Sequence, residues 1–322
     1  MNESTEDPRL SGQRTRDTSI EKPARRSGLL GVLARQAPML YILPGLILYG
    51  LFYFYPLVWT PYLSLFRWDG ITAKRFVGLR NYVELFTDDR YFFDTVLHNV
   101  QWVILGMIVP VAIGMGLALL LGRTRLRART VFRTIYFLPM VLSSVVVAII
   151  WRWVYSPDYG ALNSTLRAAG LPGLAHGWLG DKHTALLALF IAWTWITYAF
   201  CMIIFIAALQ GLDETYFDAA KVDGANRLQQ FWYVLIPLMS RAITTVMLLL
   251  AIASLQVFDL VWIMTKGGPG TSTLVLGVYM YERAFVYSRV GYGATIATML
   301  GILILIFSVV FLRIRRASEV EL

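Results

Sequence analysis

Cysteine and histidine are nearly absent from this 322-residue chain: it holds one cysteine, Cys201, and three histidines, His98, His176 and His183. A lone cysteine excludes an intramolecular disulfide, and no histidine stands at zinc-finger spacing from a second ligand, so no metal site is expected. Charge is scarce as well, at 15% of residues against about 25% in soluble domains. No G-x-x-x-x-G-K-[ST] loop, G-x-S-x-G elbow or H-E-x-x-H helix occurs. The glycine cluster of Gly267, Gly268 and Gly270 is not followed by the Lys-Ser/Thr pair that a phosphate loop needs. Neither nucleotide hydrolysis nor hydrolytic catalysis is expected of this chain.

What the chain has in excess is apolar surface: 57% of residues are hydrophobic and the mean hydropathy is +0.59. A core of ordinary size cannot hide that fraction, so the excess faces lipid. Six apolar stretches, 39–66, 99–121, 135–151, 184–208, 242–264 and 292–312, each come close to the ~20 residues a helix needs to cross a bilayer. The expectation is an all-α integral membrane protein with six transmembrane helices. Residues 1–38 form a polar, uncleaved tail expected to be disordered, 39–312 the transmembrane domain, and 313–322 a C-terminal tail. The third stretch is the shortest, and Trp151, Trp153 and Tyr155 extend it with interfacial aromatics. Pro44, Pro56 and Pro61 are expected to kink the first.

Orientation follows from the basic residues. The tail, the 122–134 and 209–241 segments and the C-terminus together carry eighteen, and the opposite side eleven. The richer side is cytoplasmic by the positive-inside rule, which puts both termini inside. The net charge of +9 is thereby a topology signal, and no nucleic-acid partner is expected.

Segment 209–241, between the fourth and fifth helices, is amphipathic and cytoplasmic. Helix formers run to Val222, Gly224 permits a left-handed turn, and a second apolar-rich stretch stops at Pro237, so two short helices with a bend are expected. Small Ala219, Ala220 and Ala225 allow close approach of another surface, and Asp218 and Asp223 offer carboxylates to a basic partner. From periodicity alone, a docking element and an interfacial helix with no partner both fit.

Asp218-Ala219-Ala220, Gly224 and Ile236-Pro237 resemble the EAA loop of permease subunits in binding-protein-dependent ABC importers. Further stretches are similar to the carbohydrate-uptake branch: Gly78-Leu79-Arg80-Asn81-Tyr82, Tyr136-Phe137-Leu138-Pro139, residues 151–155 with Gly160 and Asn163, Phe258-Asp259, Thr265-Lys266-Gly267-Gly268-Pro269 and Tyr292-Gly293. The resemblance covers roughly residues 41–312. Two positions depart from it: Asp218 replaces the family's glutamate, and Leu212-Asp213 replaces Ile-Pro. The resemblance implies that 209–241 carries a coupling helix between helices 4 and 5, seated on a separate ATPase. It implies as partners a second homologous permease, two ATP-binding cassette subunits that hold ATP and Mg, and an extracytoplasmic solute-binding protein. This chain would bind no cofactor itself.

Asp259 is the one acidic residue expected within a span. It either faces the permeation path or is a helix-end carboxylate capped by Thr265 or Lys266, because a charge facing lipid is costly. Arg152 is read as snorkelling to the outer interface. A sugar site needs aromatic plates with hydroxyls or amides. Trp193, Thr194, Trp195, Thr197, Tyr198, Ser143 and Ser144 meet that need, but for any single one of them ordinary helix packing is the readier account. Ser254, Gln256 and Asp259, three polar residues close together in an apolar run, are the stronger candidates. Gly267, Gly268 and Pro269 fall in an irregular outer loop, which either touches the binding protein or serves as a connector. Competing functions are an ion-coupled secondary transporter, which would need intramembrane relays, and an intramembrane enzyme, for which Cys201 lacks a neighbouring histidine.

Overall fold

The computed structural model describes residues 41–123 and 129–319. The 1–38 tail, the 124–128 segment with Arg125 and Arg127, and residues 320–322 lie outside them. The chain divides into two units, Met1–Leu57 and Val58–Leu322.

In the first unit, residues 41–57 are helical and their large apolar side chains are exposed. A π-helical turn occupies Gly50–Phe54, just ahead of Pro56. Proline supplies no N–H and its ring crowds the preceding turn, and a widened turn absorbs the mismatch. The prolines thus alter the hydrogen bonding without ending the helix, which runs as Tyr41–Ser64 (α1).

The second unit opens with the end of α1 and a short antiparallel ribbon, β1 (Phe66–Arg67) and β2 (Arg75–Phe76). The Asn81 amide, on α2 (Arg80–Thr87), donates to the carbonyls of Ser64 at 2.7 Å and Phe66 at 2.9 Å. It thereby ties the last carbonyl of α1 to the first strand of the ribbon. There follow α3 (Arg90–Arg123), α4 (Arg129–Val141), α5 (Ser144–Val154), α6 (Ala161–Ala168) and α7 (Ala185–Gln210). The chain then forms α8 (Thr215–Val222), α9 (Arg227–Leu238), α10 (Ser240–Leu255), α11 (Asp259–Met264), α12 (Leu276–Tyr281) and α13 (Val290–Glu319).

The core forms where α3 packs along α7 and α10. Trp102 is buried edge-on against Phe190 and Trp193, with centroids 6.0 and 6.1 Å away. Helices approach this closely because Gly106 and Gly114 lie on one face of α3. A Cβ at Gly114 would sit 2.4 Å from Cys201 Cβ, and one at Gly106 2.4 Å from Ser254 Oγ. Small residues at contact points are the usual means of close packing between membrane helices.

Among the described residues four helices are long and apolar enough to cross a bilayer: Tyr41–Ser64, Arg90–Gly122, Ala185–Gln210 and Val290–Arg315. Two further candidates are broken. Val131–Val141 meets Ser144–Val154 at 100°, and Arg227–Leu238 meets Ser240–Leu255 at 70°. The sequence-based third and fifth stretches are therefore not single continuous helices. The third is two helices with Ser143 extended between them. The apolar run 242–264 is interrupted at residues 256–258, and its remainder is the separate helix α11. Freed backbone groups in such breaks need partners. Asn99 on α3 supplies two: its amide nitrogen donates to Leu255 O at 3.1 Å, and its oxygen accepts from Leu276 N at 2.7 Å. One buried side chain thus staples the end of α10 to the start of α12.

Candidate functional site

The bend expected in 209–241 is present in local geometry. Asp213 accepts from the Thr215 hydroxyl and from Thr215 N, the latter at 2.9 Å, so it starts α8. These two bonds, the side-chain bond foremost, hold its carboxyl below the ordinary aspartate range. The departure from the family's proline therefore places a different helix-initiating residue at the same point. Phe217 is buried beneath α8, whereas Asp218, Ala219, Asp223 and Gly224 are exposed and Ala220 and Ala225 half-buried. Asp218 pairs with Lys221 at 2.8 Å, their side chains 68% and 62% exposed. Such a surface pair contributes about 0–1 kcal/mol and is readily exchanged for a partner's charge.

Gly224 has φ +81° with nothing within 4 Å of an added Cβ, so glycine is required by backbone conformation alone. Beyond it Asn226 and Gln229 close a reciprocal capping box, with bonds of 2.8 and 2.9 Å. Sequence reading missed this pair, although a polar cap followed three residues later by glutamine is legible as a helix start. Also missed were the exposed Tyr216, Val222, Leu228, Trp232 and Tyr233, which make the outer surface of the segment apolar and aromatic. Pro237 lies in the first turn of the final piece of α9, where a missing N–H is harmless. Cavities of about 470 and 870 Å³ share Phe217, Lys221 and Gln230 in their walls.

A second polar locus lies where the broken helices meet. Ser144 Oγ donates to Asp259 Oδ2 at 2.9 Å, so the carboxylate is held by Ser144 rather than by Thr265 or Lys266. Gln256 and Asp259 are both exposed. Beside them Phe258, Trp262 and Tyr281 form an aromatic cluster, with Trp262 and Tyr281 centroids 4.8 Å apart and Phe258 and Tyr281 5.4 Å apart. The other candidates sit elsewhere. Ser254 is fully buried against Gly106, Trp193 is buried beside Trp102, and Tyr198 is half-buried on α7. The hydroxyls of Ser254 and Thr194 and the indole N–H of Trp102 are buried without a hydrogen-bond partner. Arg152 donates weakly to Ile263 O at 3.4 Å, which ties α5 to α11.

The 265–271 loop is irregular, as expected, yet well braced. Lys266, Gly267 and Gly270 have positive φ, and the Gly268–Pro269 peptide is cis. Buried Thr273 donates to Gly268 O at 2.8 Å and bonds the Thr265 hydroxyl at 2.8 Å. Several motif residues prove to be architectural. Asn163 donates to His176 O at 2.9 Å and accepts from the Trp178 indole at 2.8 Å, and Tyr155 donates to Ala188 O at 3.0 Å. Among the described residues no group of three or more His, Cys, Asp or Glu is arranged to hold a metal ion.

Apolar helices long enough to cross a bilayer, broken spans that meet at polar side chains and an exposed bent segment define a multi-pass membrane protein of the transport class. Residues 112–319 match the binding-protein-dependent transport system inner membrane components, and the chain belongs to that family. A probable ABC transporter permease of Pyrococcus horikoshii is 36% identical over 269 residues, covering 83% of this chain and 91% of the relative. The lactose transport permease LacF of Rhizobium radiobacter is 33% identical, covering 87% and 93%. The osmoprotective compounds uptake permease GgtC of Synechocystis is 35% identical, covering 88% and 99%. The fold is shared with a bacterial ABC transporter for alginate import, with a TM-score of 0.77 at 20% identity over 90% of this chain and 98% of the other. The protein is a transport component of the cell membrane.

Proposed function

We propose that this chain is one of two homologous permease subunits of an ABC importer for a carbohydrate, an oligosaccharide or related polyol. An extracytoplasmic binding protein delivers the solute, and two separate ATPase subunits, which hold ATP and Mg, drive the transport. The chain has no nucleotide site of its own. In this reading the chain has six spans, two of them broken, with both termini on the side that the basic residues mark as cytoplasmic, 39–312 as the permease domain and 1–38 and 313–322 as tails. The carbohydrate class is supported by the lactose permease and by a trehalose/maltose permease of Thermococcus litoralis, 31% identical over 86% of this chain.

The observation that carries the reading is the exposed bend at Gly224. Its apolar, aromatic surface is held rigid by buried Phe217 and the Asn226–Gln229 box. Asp218, Ala219, Ala220, Asp223, Gly224 and Ala225 form the face that seats on an ATPase, and Pro237 marks the return to the membrane. Closure of the ATPases moves α8 and α9 as a rigid lever, and the broken helices switch the path between its two openings. Gln256 and Asp259 meet solute hydroxyls beside the Phe258, Trp262 and Tyr281 rings, an arrangement suited to sugars. Trp193, Tyr198 and Ser254 support that path from the helix packing behind it, and the Gly267, Gly268 and Pro269 loop faces the binding protein. No observation favours ion-coupled transport.

Uptake into membrane vesicles that contain this chain and its co-expressed partners tests the proposal. Saccharide accumulation should require ATP at the cytoplasmic face and the binding protein. Accumulation driven by an ion gradient without ATP would overturn it.

A further inference from the structure

Arg133, half-buried on α4, has no ion pair or hydrogen bond among the described residues. It stands at one end of a cleft of about 390 Å³ between α4 and α7. Gln210, the last residue of α7, shares this polar end. Away from it the lining turns apolar. Phe137, one turn along α4 from Arg133, forms one wall, exposed Ile203 the other, and buried Met202 and Ile206 the floor.

Met202, Ile206 and Gln210 recur every four residues, so they form one stripe along α7. At 1.5 Å per residue the stripe is about 12 Å long. The cleft therefore starts at a span terminus with a cation and runs into hydrocarbon depth as a greasy slot. That is the head-and-tail chemistry of a single phospholipid. A guanidinium pairs with phosphate through two parallel N–H bonds. No acidic residue lines the cleft to welcome a choline or ammonium group. With Arg133 as the charge at its polar end and no carboxylate in its lining, the cleft favours an anionic headgroup over a zwitterionic one. A protein helix laid in the slot would bury the same unpaired charge, which is costly.

We propose that the α4–α7 cleft is a binding site for an anionic phospholipid, its phosphate on Arg133 and one acyl chain along Met202, Ile203 and Ile206. The proposal takes from the orientation given above only the leaflet, the cytoplasmic one.

The protein is purified with its co-purifying subunits, delipidated and titrated with phosphatidylglycerol, phosphatidylcholine or inorganic phosphate, and retained lipid is read by native mass spectrometry. Wild type should retain phosphatidylglycerol at least tenfold better than phosphatidylcholine, and inorganic phosphate should not displace it. Arg133→Gln should abolish the preference. Ile203→Trp, a change on an exposed wall, should fill the slot and reduce retention tenfold, and both variants should elute at the wild-type size. Wild-type retention by both variants would overturn the site. So would displacement by phosphate alone, or capture of a second polypeptide instead of lipid by a photo-crosslinker at position 203. Since binding is read rather than transport, each of these outcomes leaves the importer reading intact.

Discussion

Ser144, the first residue of α5, donates a 2.9 Å hydrogen bond to the carboxylate of Asp259, the first residue of α11. Both residues follow a break in an apolar run, so the bond joins two chain interruptions and sets a charge at two helix N-termini, where the helix dipoles favour it.

Asp259→Ala should lower solute-stimulated ATPase activity of the assembled complex about tenfold, which is what losing one charge-assisted hydrogen bond of roughly 1.5 kcal/mol produces, and Gln256→Ala, which loses a neutral bond of roughly 1 kcal/mol, about fivefold. Asp259→Asn, which still accepts from Ser144, should lose less. If both alanine variants respond to solute like wild type, these two side chains do not line the path.

At Gly224 the added Cβ of a variant meets nothing, so substitutions there report on backbone alone. Gly224→Ala should strain the bend by about 1–2 kcal/mol. Gly224→Asn should be milder because asparagine tolerates positive φ. Gly224→Pro, confined to negative φ, should abolish uptake while membrane yield is kept. Uptake and yield measured side by side give the order expected: glycine, asparagine, alanine, proline.

The Asp213 cap gives a pH signature. Because its folded carboxyl is held below the ordinary value, the cap is fully present above the ordinary aspartate range and is lost as pH falls through the depressed one. Amide hydrogen exchange at residues 215–217, corrected for intrinsic rates, should stay slow from neutral pH down to that range and accelerate only below it. Asp213→Ala should exchange fast throughout. Equal protection in the variant would remove the cap from the account.

How much of this was legible depended on whether the information was local. The bend at Gly224 was readable because a left-handed residue between two helical runs is a local requirement. The existence of six apolar stretches followed from composition, but the interruptions at 142–143 and 256–258 did not, since an interrupted apolar run has the same hydropathy as a continuous one. What stabilises the second break is Asn99, which lies 156 residues from Leu255. For the same reason the sequence offers Asp259 either a place on the permeation path or a cap from nearby Thr265 or Lys266, whereas its partner Ser144 is 115 residues away. Ser254 and Trp193 drew attention as polar and aromatic residues in a span, and only tertiary packing places them against α3.

Gly114→Ala tests that packing. Its Cβ would fall 2.4 Å from Cys201 Cβ and 2.9 Å from Met202 N, so the detergent-solubilised protein should be destabilised by about 1–3 kcal/mol. Thermal unfolding followed by tryptophan fluorescence reads the loss. Adding Cys201→Gly removes one of the two clashes and should restore part of the stability.

The central claim is that the bent segment is gripped by a separate ATPase, and its most direct test is a cross-link. Cys201 is the sole native cysteine and is buried, so Ala219→Cys introduces the one accessible thiol of this chain. A maleimide–benzophenone attached to that thiol in native membranes and photolysed, so that it inserts into C–H bonds of whatever lies beside it, should join position 219 to an ATP-binding polypeptide, with a yield that changes when ATP is added. Adducts with lipid alone, or with no ATP-binding chain, would contradict the account.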